Sequence, residues 1–134
     1  MKRILLLALV ALMGFTALAF AGDAKTEAAK KDEAKPVTMT GEVIDLYCYM
    51  GHQSKGAEHA KCATSCITKG IPVGFLTADG TMYIIIGKDH ASANAEVAPF
   101  AGRQSTITGK VMENNGVKAI QLVSISEPKA ETQN

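Results

Sequence analysis

Alternating apolar and polar positions predict five β-strands between residues 37 and 127. Branched aliphatic and aromatic residues are dense at 37–49, 71–76, 82–87, 103–112 and 117–126, and such density favours strands. Two of the gaps between these segments hold strong hairpin signals, Asp79-Gly80 and Asn115-Gly116. The strands on either side of each signal are therefore expected to pair.

Two helices are predicted among the strands. Residues 56–69 contain regularly spaced alanines and end at Gly70 and Pro72, which together are a strong stop signal. Residues 91–97 predict a shorter helix before the fourth strand. Without the first helix, this order is that of a five-stranded Greek-key barrel, the OB-fold. The sequence therefore predicts a mainly β, OB-like barrel at 37–127, with a cysteine-bearing helix inserted between strands 1 and 2.

The first 21 residues predict a secretory signal peptide. Lys2 and Arg3 precede a nearly unbroken apolar run, and Ala19-Phe20-Ala21 has small residues at the two positions that a signal peptidase reads. A membrane anchor is the alternative, because an apolar run of about 18 residues is just long enough to span a bilayer. We expect cleavage after Ala21, a periplasmic or secreted protein, and no membrane attachment after cleavage.

The segments on either side of the predicted barrel are polar. Residues 22–36 are charged and alanine-rich and predict a flexible linker, and residues 128–134 predict a polar tail. The chain carries 14 Lys and Arg residues against 13 Asp and Glu residues, so it has no basic field to hold a phosphate backbone. We therefore expect no nucleic-acid partner.

Candidate chemistry is concentrated in residues 48–70, which hold all three cysteines and two of the three histidines. In an oxidising compartment a cysteine must be paired, metal-bound or reactive. On a helix, His59, Cys62 and Cys66 form one stripe, and Cys48 reaches that stripe from the end of the preceding strand. Three thiolates with one imidazole are typical zinc ligands and also suit copper(I).

His59, Cys62 and Cys66 cannot readily bind the same ion from one helix, because about 10.5 Å of axial rise separates His59 from Cys66. We therefore expect three thiols and a single imidazole around a zinc or copper ion. The predicted ligands are Cys48, Cys62, Cys66 and either His59 on the helix or His52 in the loop before it. Asp45 is a candidate to hydrogen-bond the ligand histidine, as carboxylates commonly do at metal sites, and the alternative role for it is to cap a loop.

A ligand-binding OB domain that is stapled by a structural disulfide and binds no metal is the alternative to a metal site. A bridge from Cys48 to Cys62 or Cys66 would close a loop of roughly 14–18 residues and stabilise the fold by about 3 kcal/mol, leaving one odd thiol. Thiol-redox chemistry with a partner protein is a third possibility, although the C-x-x-x-C spacing differs from the C-x-x-C of thioredoxin-like enzymes. No C-x-x-C-H sequence is present, which excludes covalent haem.

The residues around the cysteines also resemble a group of small exported bacterial proteins of unknown function. The shared pattern is Gly-x-Val-x-Asp before a cysteine, then His-x-x-Cys-Ala-x-x-Cys, then Gly-x-Pro. The chain matches it at Gly41, Val43, Asp45, Cys48, His59, Cys62, Ala63, Cys66, Gly70 and Pro72. The resemblance covers roughly residues 40–125 and implies an OB-fold-like domain without an established activity. We expect a binding or trafficking role and no catalysis.

Overall fold

The computed structural model describes residues 35–128, which form five strands and three short α-helices. The elements follow one another as β1 (Val37–Asp45), α1 (Leu46–His52), α2 (Ala60–Thr68), β2 (Val73–Thr77), β3 (Met82–Ile86), α3 (Asn94–Val97), β4 (Gln104–Asn114) and β5 (Val117–Ser126). Single turns of 3₁₀-helix, Lys88–His90 and Ala98–Phe100, lie on either side of α3. The prediction of a mainly β fold with five strands is confirmed.

The five strands form one mixed sheet that closes into a ring in the order β1-β2-β3-β5-β4. Strand β1 pairs antiparallel with β2 on one side and with β4 on the other. Strands β3 and β5 are parallel neighbours, while β2–β3 and β4–β5 are antiparallel. Strand β4 pairs with residues 37–42 of β1 and β2 with residues 41–45, so β2 holds the end of β1 at which the site described below begins.

Both predicted hairpin turns are present. Gly80 adopts a φ of 83° between β2 and β3, and Asn115 and Gly116 adopt φ values of 50° and 79° between β4 and β5. A two-residue turn with both φ values positive matches the right-handed twist of the paired strands. The β4–β5 turn is of this kind. The longer β2–β3 turn is closed by the Thr77 N–H, which donates to the Thr81 carbonyl at 3.0 Å, and by the Gly80 N–H, which donates to the Thr77 carbonyl at 3.0 Å.

The core lies inside the ring and beneath α2. Fully buried side chains come from several strands, among them Val43, Phe75, Ile107 and Ile120. Helix α2 adds Ala63 and Ile67, which are one turn apart and both buried. Because one face of α2 packs against the core, the residues on its opposite face point away from the core.

The first strand is shorter than the pattern of residues 37–49 predicts. It ends at Asp45, whose side chain accepts a hydrogen bond from the Cys48 backbone N–H at 2.9 Å and caps α1. Asp is among the preferred N-cap residues, because its carboxylate satisfies an amide of the first helical turn. The segment predicted as the end of a strand and a loop is therefore mostly helical.

Both predicted helices are shorter than expected. Helix α2 begins at Ala60 rather than at residue 56, since Gly56 adopts a φ of 81° and residues 56–59 form turns. Helix α3 covers only four residues of the predicted 91–97. The helical region between β3 and β4 is nevertheless present where the sequence places it.

The signal peptide, most of the predicted linker and nearly all of the predicted tail lie outside the described residues. Those parts of the sequence remain predictions. Within residues 35–128, no helix has the length and apolar character needed to cross a bilayer.

Candidate metal centre

Cys48 lies in the first turn of α1, directly after the strand that anchors it. Asp45 supplies the N-cap with an extended backbone (φ −79°, ψ 131°), and its Oδ1 accepts the Cys48 N–H. The Leu46 N–H donates to the Pro72 carbonyl at 3.0 Å, which ties the start of α1 to the chain just before β2. The position of Cys48 is thus set by hydrogen bonds on both sides of the turn.

Cys62 and Cys66 lie one turn apart on α2. They share the side of the helix that faces away from the core, with Cys62 exposed and Cys66 half-buried. The far end of α2 is held by Asn94, whose Nδ2 donates to the carbonyls of Ile67 and Ile71 at 2.8 and 2.9 Å. The core contacts and this clamp together orient both cysteines.

The three sulfurs meet between α1 and α2. All are free thiols, and the sulfurs of Cys48, Cys62 and Cys66 lie within 4.8 Å of one another. Two sulfurs bound to one zinc ion at about 2.3 Å and a tetrahedral angle are about 3.8 Å apart. The sulfurs therefore need to move inward by about 1 Å at most to bind a common ion.

His59 pairs with Asp45 beside these sulfurs. The ring Nε2 of His59 lies 3.0 Å from Oδ2 of Asp45, and the ring N–H donates to the carboxylate. The Asp45 side chain is fully buried, while that of His59 is 18% exposed. The contact expected between Asp45 and a candidate ligand histidine is present, although His59 lies just before α2 rather than within it.

The five donors form two overlapping clusters. The first is the thiol cluster, Cys48, Cys62 and Cys66, and the second is Asp45, Cys48 and His59, again with all ligand atoms within 4.8 Å of one another. His59 is therefore placed beside Cys48 and Asp45 rather than in one compact group with all three sulfurs. His52 is exposed at the end of α1 and belongs to neither cluster.

A residue that the sequence analysis missed holds the loop carrying His59. Glu42 on β1 is only 8% exposed, and its Oε1 accepts the backbone N–H of Gly56. Gly102 packs closely against the other side of that loop. A side chain at position 102 would not fit, because its Cβ would lie 2.6 Å from the Ala60 Cα and 2.7 Å from the Gly56 oxygen. The sequence signal for Glu42 is an acidic residue inside a predicted strand, because a charge that becomes buried there needs a partner.

The electrostatics of the reduced site disfavour a free thiolate. The pKa of Cys48 is raised to about 12, mainly by burial. The Asp45 carboxylate, which accepts a hydrogen bond from the thiol, and the neighbouring Cys62 and Cys66 raise it further. Burial also raises the pKa of Cys66, as do Cys62 and Asp45. A bound cation reverses this preference, because metal coordination deprotonates thiols.

Asp45 itself is stable as a carboxylate. Burial alone would raise its pKa, but the Cys48 N–H, the His59 ring and the Cys48 thiol outweigh burial and hold the pKa of Asp45 below its ordinary value. The site therefore has a fixed negative charge next to two thiols, Cys48 and Cys66, whose pKa values are raised. This arrangement is compatible with a bound cation.

Comparison with known proteins adds no relative. No family model matches the chain, and neither the curated proteins nor the solved structures give a significant match. The function is therefore argued from the site alone.

Proposed function

We propose that this protein is a small exported metal-binding module that holds zinc or copper through its thiol cluster. The observation that carries the proposal is the meeting of the sulfurs of Cys48, Cys62 and Cys66 within 4.8 Å of one another. Cys48 comes from α1 and the other two cysteines from α2, so local helix geometry does not account for the meeting of Cys48 with the other two. Soft thiolates select zinc and copper(I) over harder ions.

The surroundings of the thiols support metal binding over thiol-redox chemistry. A redox nucleophile needs a lowered pKa, whereas the pKa values of Cys48 and Cys66 are raised. The His59–Asp45 pair is the kind of carboxylate–imidazole contact that orients a histidine at a metal. We therefore assign His59, and not His52, as the imidazole of the site.

The proposal includes an OB-like barrel as the fold and export from the cytoplasm as the location. An OB-like barrel is supported by the ring order β1-β2-β3-β5-β4 and by the helical connection between β3 and β4. The signal-peptide pattern of the first 21 residues supports export to the periplasm or beyond. Both agree with the resemblance to small exported bacterial proteins, and a binding or trafficking role requires no catalysis.

Equilibrium dialysis followed by elemental analysis tests the proposal. The reduced protein is dialysed against Zn²⁺ or Cu(I), beside a variant with Cys48, Cys62 and Cys66 all replaced by serine. We expect at least one ion per wild-type chain and none in the variant. His90→Ala is the matched control, because His90 is exposed and lies outside both clusters.

A structural disulfide is the second candidate, favoured by the same proximity of the sulfurs. Cys48 is close enough to Cys62 and Cys66 for a bridge to either after a small shift. Protein from an oxidising compartment that carries no metal and lacks two free thiols would establish this candidate in place of the metal module. Thiol counting before and after reduction distinguishes the two.

A further inference from the structure

The two clusters at the site share the sulfur of Cys48. The thiol cluster extends from it toward α2, and the second cluster, Asp45, Cys48 and His59, extends toward the end of β1. Each cluster offers three donors, which is the number that zinc sites with an open fourth position use. One ion in the thiol cluster leaves Asp45 and His59 as a second set of donors around the same sulfur.

We propose that the chain binds two zinc-like divalent ions, one in each cluster, bridged by the Cys48 thiolate. The inference rests on the proposed metal-binding function and adds to it a second ion, which takes Asp45 and His59 as direct ligands in place of the orienting contact between them. In two-metal sites of proteins the ions lie about 3.5–4 Å apart. A single bridging sulfur bound to each ion at about 2.3 Å permits this separation.

The Asp45–His59 pair already has the spacing of two ligands on one ion. Oδ2 and Nε2 are 3.0 Å apart. Two donors bound at about 2.0–2.1 Å, with an angle between 90° and tetrahedral, lie roughly 2.9–3.4 Å apart. A divalent ion can therefore take the place of the Nε2 proton between them with little movement, and the neutral ring keeps its one proton at Nδ1.

Burial makes this pair preorganised. The Asp45 side chain is fully buried and its other oxygen is held by the Cys48 N–H. The His59 loop is held by the buried Glu42 through Gly56. Donors that are already fixed lose little conformational entropy when an ion binds.

Charge balance favours two divalent ions over one. With metal bound, Cys48, Cys62 and Cys66 are thiolates, so the two clusters carry four negative charges including that of Asp45. One divalent ion compensates two of the four charges and leaves two uncompensated at a site that contains the buried Asp45 carboxylate, which is costly. Two divalent ions neutralise the four charges.

The donor types select the kind of ion. A carboxylate oxygen and an imidazole nitrogen beside one sulfur suit a borderline ion such as Zn²⁺ and disfavour copper(I), which prefers sulfur alone. The proposal therefore commits to zinc, with Co²⁺ as its spectroscopic substitute. Copper(I) is expected to occupy the thiol cluster only.

Titration of the reduced protein with Zn²⁺ and Co²⁺ under anaerobic conditions tests the second position. We expect two ions per wild-type chain, one per chain in His59→Ala, and one per chain in the double variant Cys62→Ser, Cys66→Ser. His52→Ala is the control and keeps two ions. Far-ultraviolet circular dichroism establishes that each variant is folded before its stoichiometry is read.

The outcomes separate this inference from the proposed function. One ion in the wild type, with loss of that ion in the double variant, overturns the second position and leaves the metal module standing. No ion in the folded, reduced wild type overturns both. Two ions in the wild type together with two in folded His59→Ala would place the second ion elsewhere and refute the assignment of Asp45 and His59.

Discussion

Replacing Asp45 tests whether one buried carboxylate organises the site even before any metal binds. In the reduced, metal-free protein its two oxygens serve two partners, the Cys48 N–H at 2.9 Å and the His59 ring at 3.0 Å. Asp45→Ala removes both interactions. Asp45→Asn keeps an oxygen for the Cys48 N–H and removes the charge, so that comparing the two variants separates the cap from the hydrogen bond between the carboxylate and His59.

The magnitudes follow from the two contacts. Loss of an N-cap side chain costs about 1 kcal/mol, and a hydrogen bond to a charged group contributes about 1.5–3 kcal/mol. Because His59 is 18% exposed, solvent weakens its bond with Asp45 toward the lower end of that range. We expect Asp45→Ala to lower the free energy of unfolding by about 2–3 kcal/mol and Asp45→Asn by about 1–1.5 kcal/mol.

Urea denaturation at pH 7 and at lower pH provides the assay. The pKa of Asp45 is lowered in the folded protein, so its contribution is fully present above the unfolded pKa of about 3.9 and is lost as pH falls through the folded pKa. The stability difference between the wild type and Asp45→Asn should therefore shrink as pH falls below about 4. A loss under about 0.5 kcal/mol in Asp45→Ala, or a difference from Asp45→Asn that does not change with pH, would refute the reasoning.

Three further predictions concern the thiol, the α2 clamp and the His59 loop. The pKa of Cys48 is raised to about 12, so Cys48 should react with iodoacetamide about 50-fold more slowly at pH 8 than an unperturbed thiol, even after allowing for the higher nucleophilicity of a basic thiolate. Peptide mass spectrometry measures this rate. If Asp45→Asn does not accelerate the reaction, the Asp45 carboxylate does not contribute to the raised pKa. Asn94→Ala removes two hydrogen bonds to carbonyl groups and should lower the free energy of unfolding by about 1–3 kcal/mol; a thermal melt that matches the wild type contradicts the clamp. Gly102→Ala adds a Cβ against neighbouring backbone at a φ of 70°, so it should cost at least about 2 kcal/mol. Gly80→Ala, with a φ of 83° and open space, should cost only about 1–2 kcal/mol, and equal losses would exclude a steric role for Gly102.

The parts of the fold that depend on local chemistry could be predicted from the sequence. The Asp79-Gly80 and Asn115-Gly116 turns lie where expected, because each contains residues that readily adopt a positive φ, namely Gly80 in the first and Asn115 and Gly116 in the second. The last strand covers residues 117–126 as predicted. Its branched residues carry the strand preference without help from distant contacts.

The first helix could not be predicted from the same kind of signal. Residues 46–49 are rich in aromatic and apolar side chains, which favour a strand, yet the Asp45 cap and the Leu46 hydrogen bond to Pro72 turn the chain into α1. The partner in the second contact is more than 20 residues away. Tertiary context therefore decides a segment whose intrinsic preference points the other way.

The site was partly accessible from the sequence. Its candidate ligands could be named from their types and spacing, and a hydrogen bond between Asp45 and a candidate histidine was expected. The division into two clusters was not, because it depends on His59 lying in a turn before α2 and on Glu42 holding that turn. Those positions are set by packing between β1 and the loop, which spacing along the chain does not record.

X-ray absorption at the zinc edge tests most directly whether the thiols hold a metal. The reduced wild-type chain is loaded with half an equivalent of Zn²⁺ and its ligand shell is measured. The account predicts at least two sulfur atoms per zinc at about 2.3 Å. A shell built from oxygen and nitrogen alone would contradict it.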